Sequence, residues 1–417
     1  MTGLITNRTP PTTTRATNGR NYNALYFGLI TTNKNKNSHY LTKWQRQVLW
    51  INCFITPFLS LCLWAQTPEQ QTPETKFVNE ALKLMSDSSA NYTQAIVYWE
   101  KAAKANTQQP LYSYELAYCH YELKQYEKSI EILKKTINKH ASLINANYYR
   151  LLGNAYDLGG KPDKAINTYT QGLAKFAEAG ELYNELGGMY YKQGNNDKAV
   201  DYWEQGVDNA PKYASNYYWL AKLYCNSSER MWGIMYAELF INLEPNTHRT
   251  LDISTLLANT YQQSLQTNAN RLYMFSKTGY KNSLLEDIST PDIPLFTAFE
   301  IIAQQLISKQ TYTNNSLAAV HLFRLQFAEH WQKQNMDKRF DNVLFSWHNQ
   351  LITAGHFEAY NYWLLREGNK IQFNEWLSAN KNKFGAFIQW ITKQPLTINA
   401  QNRFGRSTST KIVTDTK

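Results

Sequence analysis

The sequence predicts an all-α protein, a stack of helical hairpins continued by further helices. Three observations carry that expectation. Apolar residues recur at i, i+3, i+4 and i+7 over most of the chain. Glycine and proline are sparse, 18 and 12 of 417 residues, and where they occur they fall between periodic segments. The sequence also resembles itself at a spacing of 34 residues. With 43% hydrophobic and 14% aromatic residues there is ample apolar surface for a core.

The first 65 residues stand apart. They hold seven basic residues (Arg8, Arg15, Arg20, Lys34, Lys36, Lys43, Arg46) and no Asp or Glu, which leaves the remainder with 36 basic against 33 acidic residues. The net charge of +10 is therefore mostly a property of this leader, and a basic nucleic-acid face is not expected. Residues 1–42 are Thr- and Asn-rich without periodicity, and are expected to be a disordered leader. Residues 43–65 begin with Lys43 and Arg46, run apolar from Val48 to Trp64 and end at Ala65, the layout of an export signal or a membrane anchor. This predicts an exported protein, periplasmic or associated with the cell envelope, with membrane contact only through residues 43–65 if they stay uncleaved. Residues 66–75 form a linker.

The repeats begin at residue 76. Residues 180–213 align with 146–179 as Tyr183/Tyr149, Leu186/Leu152, Gly187/Gly153, Tyr190/Tyr156, Ala199/Ala165 and Trp203/Tyr169. Shifting forward by 34 brings Tyr217, Leu220, Ala221, Tyr224 and Pro245 into the same register. Upstream, 110–143 supplies Leu116, Ala117, Ser129 and Leu133, and 76–109 supplies Leu82, Ala95, Trp99 and Ala102. Two extra residues separate the second copy from the third, and Gly233 stands where a small Ala is usual in the fifth. Gly159, Gly160 and Gly194 break the first helix of their units, while Pro211 and Pro245 end the second. A single such unit cannot bury its own apolar face, so neighbours must stack over a shared core. The aromatic residues at the repeat positions are thus expected to be packing residues.

These positions resemble the tetratricopeptide repeat, over residues 76–247. The resemblance implies an α-solenoid whose first helices line a groove for a protein or peptide partner. The outward positions of those helices supply the candidate groove residues: Tyr114, Tyr118 and Tyr121, then Arg150, Asn154 and Asp157, then Asn184 and Tyr191, then Tyr218 and Lys222. The groove is expected to be aromatic at both ends and polar in the middle. Arg150 and Asn154 resemble the start of the carboxylate clamp that some tetratricopeptide domains use on chaperone tails, and Lys222 agrees with it. Gly188 and Tyr218 occupy places where the clamp needs polar or basic residues, so it is incomplete.

Residues 248–292 read as one more helix and a boundary loop ending in Thr-Pro-Asp-Ile-Pro. Residues 293–394 form an aromatic-rich helical region, expected near 294–309, 315–334, 337–353, 356–366, 370–379 and 382–393, which would continue and cap the solenoid. Gly355 sits between two of these helices as in a degenerate repeat. Residues 395–417 are expected to be a disordered tail. His321, His330, His348 and His356 concentrate here, but no pair has ligand spacing on one helix, so no metal and no catalytic residue is expected. Cys119 and Cys225 lie three repeats apart, beyond disulfide reach, and are expected to be core thiols. The chain is thus expected to be a non-catalytic scaffold without cofactors, binding a protein or peptide and not nucleic acid. The alternatives are a glycan-binding aromatic groove and a helical hydrolase with a Glu pair in the C-terminal region.

Overall fold

The computed structural model describes residues 72–86, 90–266, 273–309, 312 and 316–406. The leader and the export-like segment expected over 1–42 and 43–65 lie outside them. The described residues hold 19 helices and no strand. Ten of these helices form five consecutive hairpins: α1 (Pro73–Ser86) with α2 (Tyr92–Ala105), α3 (Pro110–Glu122) with α4 (Tyr126–Lys139), α5 (Ala146–Leu158) with α6 (Pro162–Lys175), α7 (Gly180–Lys192) with α8 (Asn196–Asn209), and α9 (Ala214–Cys225) with α10 (Arg230–Leu243). Each helix packs on its partner and on the next hairpin. The first helices also touch one another in series, α3 on α5, α5 on α7 and α7 on α9, and so form an inner ladder.

The spacing of 34 has a physical cause at each level of the hairpin. The first helix ends in a residue with left-handed backbone, Lys124 (φ 59°), Gly160 (φ 75°) and Gly194 (φ 77°) in successive units. The next amide donates back to a carbonyl five residues earlier, Gln125 to His120, Lys161 to Tyr156 and Asn195 to Tyr190, at 2.8, 2.8 and 3.0 Å. The two helices then approach through a small residue on the first and a large one on the second. A Cβ on Gly153 would come within 2.1 Å of the Tyr169 ring, and one on Gly187 within 2.2 Å of the Trp203 indole. In the fifth hairpin the corresponding pair is Ala221 and Ala237, both fully buried. There Gly233 makes the close approach instead, with Cys225 backbone 2.3 Å from where its Cβ would be.

Beyond the hairpins follow α11 (His248–Leu265), α12 (Lys277–Ser283), α13 (Leu295–Lys309), α14 (Leu317–Lys333), α15 (Met336–Arg339), α16 (Val343–Thr353), α17 (Phe357–Leu364), α18 (Lys370–Ala379) and α19 (Lys381–Lys393). Their core is continuous with that of the last two hairpins, running from Ala199 to Phe404. The reason is visible in α10, which is apolar nearly all round and buries every residue from Met231 to Ile241. An end hairpin of that kind needs a cover, and the C-terminal helices provide it.

Three expectations are corrected. Residues 273–276 are not a boundary loop: Phe275 is fully buried, and the Glu300 carboxylate accepts from the amides of Met274, Phe275 and Ser276 at 2.6, 2.9 and 2.9 Å. The same segment meets the turn between α9 and α10, where Met231 donates to the Phe275 carbonyl and Lys277 to that of Ser228, both at 3.0 Å. The helix expected over 337–353 is interrupted at 340–342, where Asn342 caps α16 by accepting from Leu344 and Phe345. Over its described part, residues 395–406, the tail expected to be disordered is instead ordered, because Ile398 and Phe404 are buried and Arg406 pairs with Glu204 at 2.9 Å.

Candidate functional site

The inner ladder brings most of the expected groove residues together. At its first end Tyr118 and Tyr121 are partly buried and belong to a chain of rings, Tyr92–Tyr118–Tyr121–Tyr126, with centroids 6.2, 6.4 and 5.8 Å apart. Burial, with help from Glu122 and Glu185, pushes the Tyr121 hydroxyl up to about 12, so it is a hydrogen-bond donor at any physiological pH.

The middle is a polar cluster across α5 and α7. Asn154 accepts from the Tyr169 hydroxyl at 2.5 Å and hydrogen-bonds Glu185. Asp157 pairs with Lys192 at 2.7 Å. Arg150 lies within electrostatic range of Glu185, Tyr121, Tyr169 and Tyr213 and favours the ionised form of each. Glu185 keeps part of its surface yet is closely surrounded. Burial raises its pKa, opposed by Arg150, Lys192 and Asn154. Asn184 anchors the cluster to the second helix, its carbonyl accepting from the Trp203 indole at 3.3 Å, while its own side-chain oxygen is buried with no hydrogen bond.

At the far end Tyr191 is 48% exposed and leans on Trp203 and Trp219, with centroids 6.0 and 6.1 Å away. Trp203 and Trp219 stack at 5.7 Å and 10°. Lys222 is exposed and sits 5.8 Å over the Trp219 ring.

Two expected groove residues are corrected. Tyr114 is 3% exposed and packs on Tyr148 at 4.8 Å, inside the core of the second and third hairpins. Tyr218 is 8% exposed, packed on Phe240 at 5.3 Å and covered by Arg249, whose guanidinium lies 5.0 Å over its ring. Both point outward on a single hairpin, but a later element closes over them. Glu185 and Trp219 are the residues that sequence reasoning passed over. They share a repeat position one residue beyond Asn184 and Tyr218, a rotation of about 100° on the same helix. A groove list drawn from both positions would have included them.

Two of the C-terminal histidines, His321 and His348, belong to a hydrogen-bonded network in the core. Glu238 on α10 accepts from Arg324 at 2.7 and 2.9 Å, from His348 at 2.7 Å and from the Tyr360 hydroxyl at 2.8 Å. Arg324 also donates to Asn361 and Tyr261, both at 2.6 Å, and Asn361 meets His321 at 3.0 Å. Arg324 is 4% and Glu238 1% exposed. This network ties α10, α11, α14, α16 and α17 together. The carboxylate is held well below its usual range by Arg324 and His348, against the effect of its burial. His330 meets Gln305 at 3.1 Å, and His356 packs on Trp390 at 5.3 Å. Among the described residues no group of three or more His, Cys, Asp or Glu could hold a metal ion, and no helix is long and apolar enough to cross a membrane. The Cys119 and Cys225 side chains are buried, and the Cys119 thiol meets the Met85 sulfur at 3.8 Å.

Comparison with known proteins gives a family at the repeats. Residues 150–214 match the tetratricopeptide repeat family, and residues 88–172 match anaphase-promoting complex, cyclosome, subunit 3. No curated protein matches. Among solved structures, a thermophilic tetratricopeptide repeat protein of Thermus thermophilus is 19% identical, with 45% of this chain and 98% of that chain covered and a TM-score of 0.36. A tetratricopeptide repeat protein from Parabacteroides merdae is 12% identical, covering 76% of this chain and 99% of that one at a TM-score of 0.35. YrrB, described as having an unusual peptide-binding site, is 17% identical over 42% of this chain and 89% of its own, at a TM-score of 0.30.

Proposed function

We propose that the inner ladder of first helices, in a chain that contains tetratricopeptide repeats, holds a segment of a protein partner and that the chain acts as a non-catalytic scaffold. The observation that carries this reading is the exposed Tyr191 beside Trp219 and Lys222, joined to the Arg150–Glu185 cluster on the same ladder. A ring left half in water at the mouth of a packed stack contributes little to folding and offers a flat apolar surface to a ligand. The charged middle supplies donors and acceptors that fix the direction and register of an extended chain. Export to the cell envelope belongs to the same reading, and is supported by the layout of residues 43–65.

The test is co-purification from the native host with the full chain and with a Tyr118→Ala/Arg150→Ala/Tyr191→Ala variant. The variant should lose a partner that the unaltered chain retains, while its far-UV circular dichroism stays helical. A folded variant that retains every partner would refute the groove. The rings would also suit the face of a sugar; binding on a glycan array that depends on Tyr191 would favour that second reading.

A further inference from the structure

The outer side of the stack carries a second groove, between successive second helices. At the end of the stack this groove is filled by the chain itself. Residues 403–406 lie between α8 and α10: Arg406 pairs with Glu204 at 2.9 Å, its amide donates to the Tyr236 hydroxyl at 2.9 Å, Arg403 approaches Asp208 at 3.9 Å, and Phe404 packs on Trp232 at 6.3 Å. An extended basic segment thus occupies an acidic groove.

The repeat register says where the same surface recurs. Two repeats plus the two extra residues carry Glu204 back to Lys134 and Asp208 to Asn138, and two repeats carry Trp232 to Lys164 and Tyr236 to Thr168. All four line an open groove of about 1000 Å³ between α4 and α6. Its floor is again the repeat equivalent, since Tyr149, Leu152 and Tyr156 stand where Tyr217, Leu220 and Tyr224 do in the fifth hairpin, and the Arg406 guanidinium lies 6.0 Å over the Tyr224 ring. The charge is reversed. Lys134, Lys164 and Lys175 are exposed, the lining contains no Asp or Glu, and Lys164 and Lys175 lie over the Tyr156 and Tyr149 rings at 6.0 and 5.6 Å.

We propose that the groove between α4 and α6 docks an extended acidic segment of a partner protein, in the way that the groove between α8 and α10 docks residues 403–406. The described part of the tail is already committed to Glu204, and the lysines call for carboxylates. The occupant is therefore a different segment from the one on α8 and α10. This docking is independent of the inner ladder.

The test is fluorescence polarisation of a labelled ten-residue oligoglutamate with the full chain, against oligolysine and ten-nucleotide oligothymidine. Oligoglutamate should bind, weaken as salt rises, and lose at least tenfold in affinity in a Lys134→Glu/Lys164→Glu/Lys175→Glu variant. Because these side chains are exposed, that variant should unfold as the unaltered chain does. The Tyr118→Ala/Arg150→Ala/Tyr191→Ala variant should bind oligoglutamate normally, which separates failure here from failure of the inner groove. Absence of oligoglutamate binding, binding indifferent to the three lysines, or equal or tighter binding of oligothymidine would each overturn the proposal.

Discussion

Gly187 and Gly188 are neighbours in α7, and replacing each with Ala should move stability in opposite directions. Helix propensity alone favours both changes, by about 1 kcal/mol each. At Gly187 the new Cβ would lie 2.2 Å from the Trp203 Nε1 and 2.5 Å from its Cδ1 and Cε2, where ordinary contact begins near 3.4 Å. The indole would have to retreat by roughly 1.2 Å, the difference between those two separations. It has nowhere to go: Trp203 is fully buried, stacked on Trp219, and donates to the Asn184 carbonyl. Overpacking of this kind costs about 1–3 kcal/mol and loss of the indole bond about 1 more, so Gly187→Ala should destabilise by about 1–3 kcal/mol net of the propensity gain of about 1. At Gly188 nothing lies within 4 Å of the new methyl, and Gly188→Ala should stabilise by about 0.5–1 kcal/mol. Urea unfolding followed by far-UV circular dichroism measures both. A Gly187→Ala variant as stable as the parent, or two variants shifting in the same direction, would refute the claim that hairpins close through glycine–aromatic pairs.

Other outcomes follow from the same structure. Lys124 holds the left-handed conformation that Gly160 and Gly194 hold in the next two units, so Lys124→Gly should raise the urea midpoint by the equivalent of about 1 kcal/mol. Arg324→Met strands Glu238 in the core and should cost about 3–5 kcal/mol, part of which a Glu238→Leu/Arg324→Met double variant should recover in the same assay. Glu238 is held below its unfolded pKa, so its contribution to stability is complete above the ordinary carboxylate range and is lost as pH falls through and below it. Glu238→Gln should therefore flatten the acid limb of a stability–pH profile. Cys119 and Cys225 are buried, and burial pushes the Cys225 thiol up to about 12. A Cys53→Ser/Cys62→Ser chain should thus show no reaction with a thiol reagent at pH 8 until urea unfolds it.

How much of this was legible in the sequence depends on whether one hairpin suffices to decide a residue's fate. Gly153 with Tyr169, and Gly187 with Trp203, are pairs inside single units, and periodicity finds them. Arg150, Asn154 and Asp157 are likewise placed by their own helix and its neighbour. Tyr218 faces outward on α9, and it is covered by Phe240 on α10 and by Arg249 on α11, which lies beyond the register. The capture of Glu238 by Arg324, 86 positions away, and of Arg406 by Glu204, 202 positions away, leaves no periodic trace. Phe404 and Ile398 illustrate the same limit: two apolar residues in a polar tail carry no period, yet both are buried, Phe404 against Trp232 on α10.

Site-specific photo-crosslinking in the native host tests the central claim most directly. A benzoylphenylalanine placed at residue 191 or 118 of the full chain should join it to one partner polypeptide, and the same probe at Asp201, exposed on α8, should not. Labelling of that partner equally from all three positions, or from position 201 alone, would contradict an inner face that holds it.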